Sequence, residues 1–317
     1  MTAKADSVVA HRHAQEYRAG LLWAFGSTAV WSSTALFIET LSRDFGMTTV
    51  ELAFWRTFII TLSLGVVVRR LYPGSALLVS WREMGVFFLA GLVGIAIFAL
   101  LFNGSVQENG GAVATTLIFC SPVFVAVGGA LWLREKVTLA QVIAIAIILF
   151  GCGLVAGITD PAALIKSPLG AIMGLGSGLV FAIYILIGKV VARTERRGGL
   201  INLFYYFLSA TLVLTPLGLI QEGFGLFTHA LNWNGWFLLI ALSLISLCGY
   251  AFFNASLKYL PAAVSSLIQT LEPSMTGVLS LLFLGRGMSG LQWFGTLLII
   301  SGVVGLQLRD LRARNLA

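Results

Sequence analysis

The densest chemistry in this 317-residue chain is the dipeptide Glu272-Pro273, set inside an apolar run. A carboxyl group at membrane depth costs about 3 kcal/mol on insertion scales, so it must face a cavity or a partner, or carry a proton. Glu272 can therefore hold the amine of a ligand or relay a proton, or it can tie a helix end by hydrogen bonding at the proline break. Arg56 interrupts another apolar run. Its guanidinium suits a carboxylate, but it can also reach outward or pair with Glu39 or Glu51. The amides of Asn103 and Asn254 and the polar groups of Thr115, Thr116, Ser265, Ser266 and Gln269 add donors and acceptors. Trp31, Tyr184, Tyr205, Tyr206 and Tyr250 add aromatic surface. Such groups bind a small polar or amphipathic molecule; they do not assemble a reaction centre. The chain contains no Gly-x-x-x-x-Gly-Lys-Ser/Thr phosphate loop. His11, His13, His229, Cys120, Cys152 and Cys248 follow neither metal-ligand nor disulfide spacing. The expectation is a chain with no catalytic residue, no metal and no cofactor.

The elements that must position these residues follow from composition. Hydrophobic residues make up 58% of the chain and charged ones 10%, with a mean hydropathy of +0.94. A soluble domain carries about 25% charge. Apolar stretches near twenty residues long fill almost the whole length, which predicts an all-α polytopic membrane protein. Ten helices are predicted, at 20–41, 49–68, 83–104, 110–132, 138–157, 168–190, 200–220, 234–257, 261–284 and 288–308. The net charge of +7 does not point to nucleic acid, because the basic residues sit in the connections. With the N-terminus in the cytoplasm, sixteen Lys and Arg fall inside and only Arg43, Lys166 and Arg286 outside. Both termini are then cytoplasmic, which an even number of spans requires. Trp81, Trp233, Trp236 and Trp293 fall near span ends, as an interfacial belt would.

The halves repeat. Leu101-Phe102-Asn103-Gly104-Ser105 returns as Phe252-Phe253-Asn254-Ala255-Ser256, Pro122 as Pro273, Gln141 as Gln292 and Gly151 as Gly302, all at an offset of 151 residues. Five helices per half is an odd number, so the second half must be inserted upside down relative to the first. The predicted organisation is a cytoplasmic segment 1–19, a first repeat 20–157, a linker 158–167, a second repeat 168–308 and a basic tail 309–317. Pro122 and Pro273 lie about twelve residues into predicted helices 4 and 9, near the midplane at ~1.5 Å per residue. They are hinge candidates, the alternative being static kinks. Gly170, Gly174 and Gly178 share one face of predicted helix 6, a pattern for close helix packing.

This duplicated pattern resembles the drug/metabolite transporter superfamily, and within it the EamA-type ten-helix transporters. The residues that carry the likeness are Ala112-Val113-Ala114-Thr115, Pro122, Leu133-Arg134-Glu135, Gln141 and Gly151. Their second-half counterparts are Ala262-Ala263-Val264-Ser265, Leu271-Glu272-Pro273, Leu284, Gln292, Gly295 and Gly302. Phe25-Gly26 and Phe54-Trp55-Arg56 also fit, whereas Arg286 stands where members often carry Glu. The resemblance implies a central cavity lined mainly by helices 1, 3, 4, 6, 8 and 9. It also implies a secondary transporter of small metabolites, commonly exporting amino acids; the expected setting is a bacterial inner membrane, with a monomer as one possible state. The substrate-binding candidates are Trp31, Asn103, Thr115, Thr116, Tyr184, Asn254, Ser265, Gln269 and Glu272. A sugar-phosphate or nucleotide-sugar exchanger is the neighbouring alternative, although it should place several cations in the cavity. A lipid-modifying membrane enzyme is the alternative from another class, with only His229 in its favour.

Overall fold

The structure, a computed structural model, describes residues 2–156, 167–194, 198–228, 231–284 and 289–315. The expected linker at 158–167 lies almost wholly outside the described residues, as do Lys166, His229 and Arg286. Every α or β element among the described residues is helical. In chain order they are α1 (Thr2–Trp31), α2 (Thr34–Phe45), α3 (Thr49–Leu71), α4 (Trp81–Gly91), α5 (Phe98–Asn109), α6 (Gly111–Ile118), α7 (Ser121–Trp132) and α8 (Leu139–Ala156). There follow α9 (Pro168–Thr194), α10 (Gly199–Glu222), the one-turn α11 (Gly225–Thr228), α12 (Trp233–Tyr259), α13 (Ala262–Gln269), α14 (Glu272–Leu284) and α15 (Gly290–Asn315). Seven helical stretches among the described residues are long and apolar enough to cross a membrane, and Leu139–Val155 and Gly290–Gly305 are shorter apolar helices. Leu22, Leu131, Trp132 and Ile220 point outward from them. An apolar outer surface on all-helical spans is what lipid demands, since every backbone group must be satisfied inside its own segment. The chain is an all-α polytopic membrane protein.

Three of the predicted helices are interrupted, and the interruptions have local causes. Pro122 has no N–H to give to the carbonyl of Ile118, so the helix breaks at Phe119 and Cys120, and α7 restarts with the proline in its first turn. Tighter bonds bridge the break, Phe119 N–H to Thr116 O at 3.1 Å and Cys120 N–H to Leu117 O at 3.3 Å. The same event recurs before Pro273, where Thr270 N–H reaches Leu267 O at 3.2 Å and Leu271 N–H reaches Ile268 O at 3.1 Å. Each break thus falls two to three residues ahead of its proline and not at it. The first helix breaks without proline at Ser32 and Ser33, where Ser32 Oγ donates to Ala29 O at 2.7 Å and Ser33 Oγ to Val30 O at 3.2 Å. Side chains that bond back to the preceding turn compete with the helical ladder. The helix also starts at Thr2, well ahead of the predicted position 20. Between α4 and α5 the chain runs on as a π-helical segment, Leu92–Ile97.

The helices pair in an ordered way. α8 packs along α15, α3 along α10, α1 along α12, and α5 along α9; α9 also rests on α6 and α7, as α1 rests on α13 and α14. Glycines set the closest approaches. A Cβ on Gly151 would meet the Gly295 carbonyl at 2.8 Å, and one on Gly295 would meet the Gly151 carbonyl at 2.6 Å. Gly170, Gly174 and Gly178 seat α9 against Asn109, Leu117 and Cys120 respectively.

Candidate functional site

Residues at the three helix breaks help to line a central cavity of about 40 Å³ between the two halves of the chain. Both halves of the chain line it. Trp31 and Thr34 flank the first break, Arg56 comes from α3, Phe98 and Phe102 from α5, and Ile118 and Phe119 from the second break. Phe181 of α9, Ser246 and Tyr250 of α12, and Gln269 and Glu272 around the third break complete it. That volume holds no more than a few water molecules.

Arg56 is 6% exposed, yet among the described residues it has no hydrogen bond and no carboxylate within ion-pair reach. The Tyr250 phenol is its one near neighbour with an electrostatic influence. Glu272 lines the same cavity and is likewise without a hydrogen bond or an ion pair among the described residues. Ser246 is buried, and its Oγ has no partner there either. An arginine stays ionised in proteins, and a buried charge without compensation is costly. The cavity therefore brings together a guanidinium, a carboxyl group and a hydroxyl that have no hydrogen bond among the described residues.

The Gln269 amide and the Thr34 hydroxyl are already occupied. Gln269 donates through Nε2 to Ser27 Oγ at 2.7 Å and accepts through Oε1 from Thr28 Oγ1 at 3.1 Å. Thr34 Oγ1 donates to Trp31 O at 2.8 Å. The aromatic wall is closely interlocked. Trp31 meets Tyr250 edge-on with centroids 5.0 Å apart and Phe181 at 6.0 Å, while Phe98 stacks on Phe102 at 5.6 Å. Gly249 makes room for the Trp31 indole, which a Cβ at that position would strike.

A second cavity of about 260 Å³ opens at the ends of α9, α10 and α12, among Tyr72, Asn202, Tyr206, Asn254 and Lys258. A layer of rings separates it from the central one. Tyr184, fully buried, stacks on Phe181 and meets Tyr206 and Tyr250 edge-on, at centroid distances of 6.2, 6.2 and 5.7 Å. Asn254 Nδ2 donates to the Tyr184 hydroxyl at 2.5 Å and to Tyr250 O at 2.8 Å. Gly94, in the π segment, lies where any side chain would collide with Tyr184.

Of the sequence candidates, Trp31, Gln269 and Glu272 lie together in the central cavity. Tyr184 and Asn254 form the layer between the two cavities. Asn103, Thr115, Thr116 and Ser265 stand apart from the lining. Asn103 is buried, donates weakly to Thr49 O at 3.4 Å and leaves Oδ1 unpartnered; Thr115 Oγ1 is also without a hydrogen bond. Ser265 Oγ accepts from Ser256 at 3.3 Å, and Thr116 is half-buried. Pro122 and Pro273 open α7 and α14 beside the breaks. The sequence left Arg56 open between a carboxylate site and a structural pairing; its side chain lines the cavity. The signal was present, since a guanidinium two turns into an apolar helix is itself conspicuous. Ser246, Phe98, Phe102, Phe119 and Phe181 carried no such signal, being ordinary residues of apolar helices.

Comparison with known proteins matches this chain twice to the EamA-like transporter family, over residues 18–157 and again over 168–308. The uncharacterized transporter YwfM of Bacillus subtilis is 29% identical over 253 residues, covering 74% of this chain and 81% of YwfM. The uncharacterized inner membrane transporter YicL of Salmonella typhimurium is 25% identical over 312 residues, covering 94% and 96%. The threonine/homoserine exporter RhtA of the same species is 28% identical over 137 residues, covering 43% of this chain and 44% of RhtA. A crystal structure with 18% sequence identity superposes with a TM-score of 0.69 over 90% of this chain and 95% of its own, which extends the likeness to the fold.

Proposed function

This chain belongs to the EamA-like transporter family, and on that footing we propose that it exports amino acids or related small metabolites as a secondary transporter working by alternating access. It is a multi-pass protein of the bacterial inner membrane. The observation that carries the proposal is the central cavity, built from both halves of the chain and holding unpartnered polar groups from each. A site between two repeated halves is where a pseudo-twofold body can expose its ligand first to one side and then to the other.

The wider architecture proposed is ten membrane helices in two inverted five-helix repeats, 20–157 and 168–308, with both termini cytoplasmic. The helix pairings support it. A twofold that exchanges the halves turns α1 on α12 into α9 on α5, and turns α9 on α6 and α7 into α1 on α13 and α14. α3 on α10 and α8 on α15 each pair an element with its own counterpart. The cavity's charge favours amino acids over phosphorylated sugars, for it presents one arginine opposed by one carboxyl group. A phosphate-bearing ligand calls for several cations.

The test is flux. Protein reconstituted in liposomes should move labelled amino acids above the level of empty vesicles, with and without an imposed proton gradient. No flux across a broad amino acid panel would overturn the proposal.

A further inference from the structure

The central cavity holds a guanidinium and a carboxyl group that do not satisfy each other. Arg56 on α3 and the carboxyl group of Glu272 at the start of α14 both line it, yet they form no ion pair. We infer that the cavity reads the two ends of a zwitterion whose side chain is apolar: Arg56 takes the carboxylate, Glu272 takes the ammonium, and the rings take the side chain. This rests on the transport reading above and narrows its substrate class.

The argument is one of matched valence. A guanidinium presents parallel N–H donors that meet a carboxylate at two points, and a carboxylate accepts from an ammonium. A ligand with only an anion would leave Glu272 either protonated or facing like charge; one with only a cation would leave Arg56 facing like charge. Inside a dry cavity either mismatch is more costly than in water. Only a net-neutral ligand carrying both charges compensates both side chains.

The choice of side chain follows from what remains of the wall. Gln269 and Thr34 spend their polar groups on Ser27, Thr28 and the Trp31 carbonyl. The Ser246 hydroxyl is a further polar group of the lining without a hydrogen bond among the described residues, and the Tyr250 phenol and Trp31 indole N–H sit at the edges of the rings. The rest is Ile118 and the rings of Trp31, Phe98, Phe102, Phe119, Phe181 and Tyr250. These aromatic centroids lie 5.0 to 6.0 Å apart where they touch, the spacing at which rings offset and slot together. At about 40 Å³ the cavity is far below the roughly 300–1,000 Å³ of ligand-filled pockets. A ligand of that size therefore requires the rings to part.

The experiment measures binding to the purified wild-type protein by thermal shift and by displacement of labelled L-phenylalanine, alongside liposome flux. The probes are L-phenylalanine, N-acetyl-L-phenylalanine (anion only), phenethylamine (cation only) and L-threonine. L-phenylalanine should bind at least tenfold more tightly than each of the other three. Arg56→Gln should shift the ratio toward phenethylamine, and Glu272→Gln toward N-acetyl-L-phenylalanine, each by tenfold or more. A merely structural role would lower all affinities together. Equal affinity of the wild type for either single-charge probe overturns the zwitterion reading, as does failure to bind L-phenylalanine, and neither result needs a folded variant. Preference for L-threonine overturns the apolar side chain. Binding as expected without flux of any amino acid leaves the zwitterion site standing and removes the transport reading; flux with unchanged ratios in both variants does the reverse.

Discussion

Removing one oxygen from the ring layer should open a path between the two cavities. Tyr184→Phe keeps the ring contacts with Phe181, Tyr206 and Tyr250 and deletes only the hydroxyl that accepts from Asn254 Nδ2. Asn254 keeps its second bond, to Tyr250 O at 2.8 Å, and its freed N–H faces the larger cavity, which Asn254 lines. Hydrogen bonds between side chains in membrane helices average about 0.6 kcal/mol. If the bond exists only while the layer is closed, its loss shifts the closed–open equilibrium by about 0.6 kcal/mol, or roughly threefold. The assay places a reporter thiol beyond the layer, Ser246→Cys, in a chain whose native Cys120, Cys152 and Cys248 are replaced. A membrane-impermeant thiol reagent is then added on the face where the larger cavity opens. Its reaction rate should rise about threefold in the Tyr184→Phe protein, with little change in melting temperature. An unchanged or slower rate would refute the reasoning that this bond holds the layer shut.

Gly249→Ala should push the Trp31 indole out of its slot and destabilise the protein by about 1–3 kcal/mol, seen as a lower melting temperature in detergent. Lys189→Met should also lower it, by an amount equivalent to about 1.5–3 kcal/mol. Its Nζ donates to Leu257 O and Leu260 O at 2.7 and 2.5 Å, closing the carbonyl end of α12 with a positive charge. Arg193→Ala removes a half-exposed contact to Glu135 at 3.4 Å and should change stability by no more than about 0.5 kcal/mol; a larger loss would show that the pair holds α9 to the turn after α7.

Much of the architecture was legible because lipid makes the signal simple. Long apolar runs, short connections and paired prolines each reflect one physical demand, and their positions along the chain read directly. The site was only partly legible. Glu272 stood out because a carboxyl group in an apolar run has few explanations, and Trp31 because it is large and amphipathic. Arg56 was visible but its surroundings were not, since nothing in a linear sequence says which way a helix turns its face. Phe98, Phe102 and Phe181 could not be distinguished from lipid-facing phenylalanines, because in a membrane protein the inside and the outside are equally apolar. Asn103 and Asn254 show the remaining limit. They are matched in sequence, yet Asn254 finds the Tyr184 hydroxyl while Asn103 leaves an oxygen unpartnered. A repeat predicts equivalent backbone positions; it does not predict equivalent neighbours.

The π-helical stretch Leu92–Ile97 divides one long helix into two segments whose faces are set independently. Ahead of it, Gly91 lies tight against the Tyr206 carbonyl and Ser209 of α10; beyond it, Phe98 and Phe102 are aimed into the cavity. A π turn amounts to one extra residue wound into an α-helix, and one residue is worth about 100° of rotation. Deleting a single residue between Leu92 and Ile97 would restore a regular helix and swing both phenylalanines off the cavity wall, with every apolar residue conserved in kind. In this chain a frame of one residue, and not hydrophobicity, keeps the two ends of that helix facing different partners.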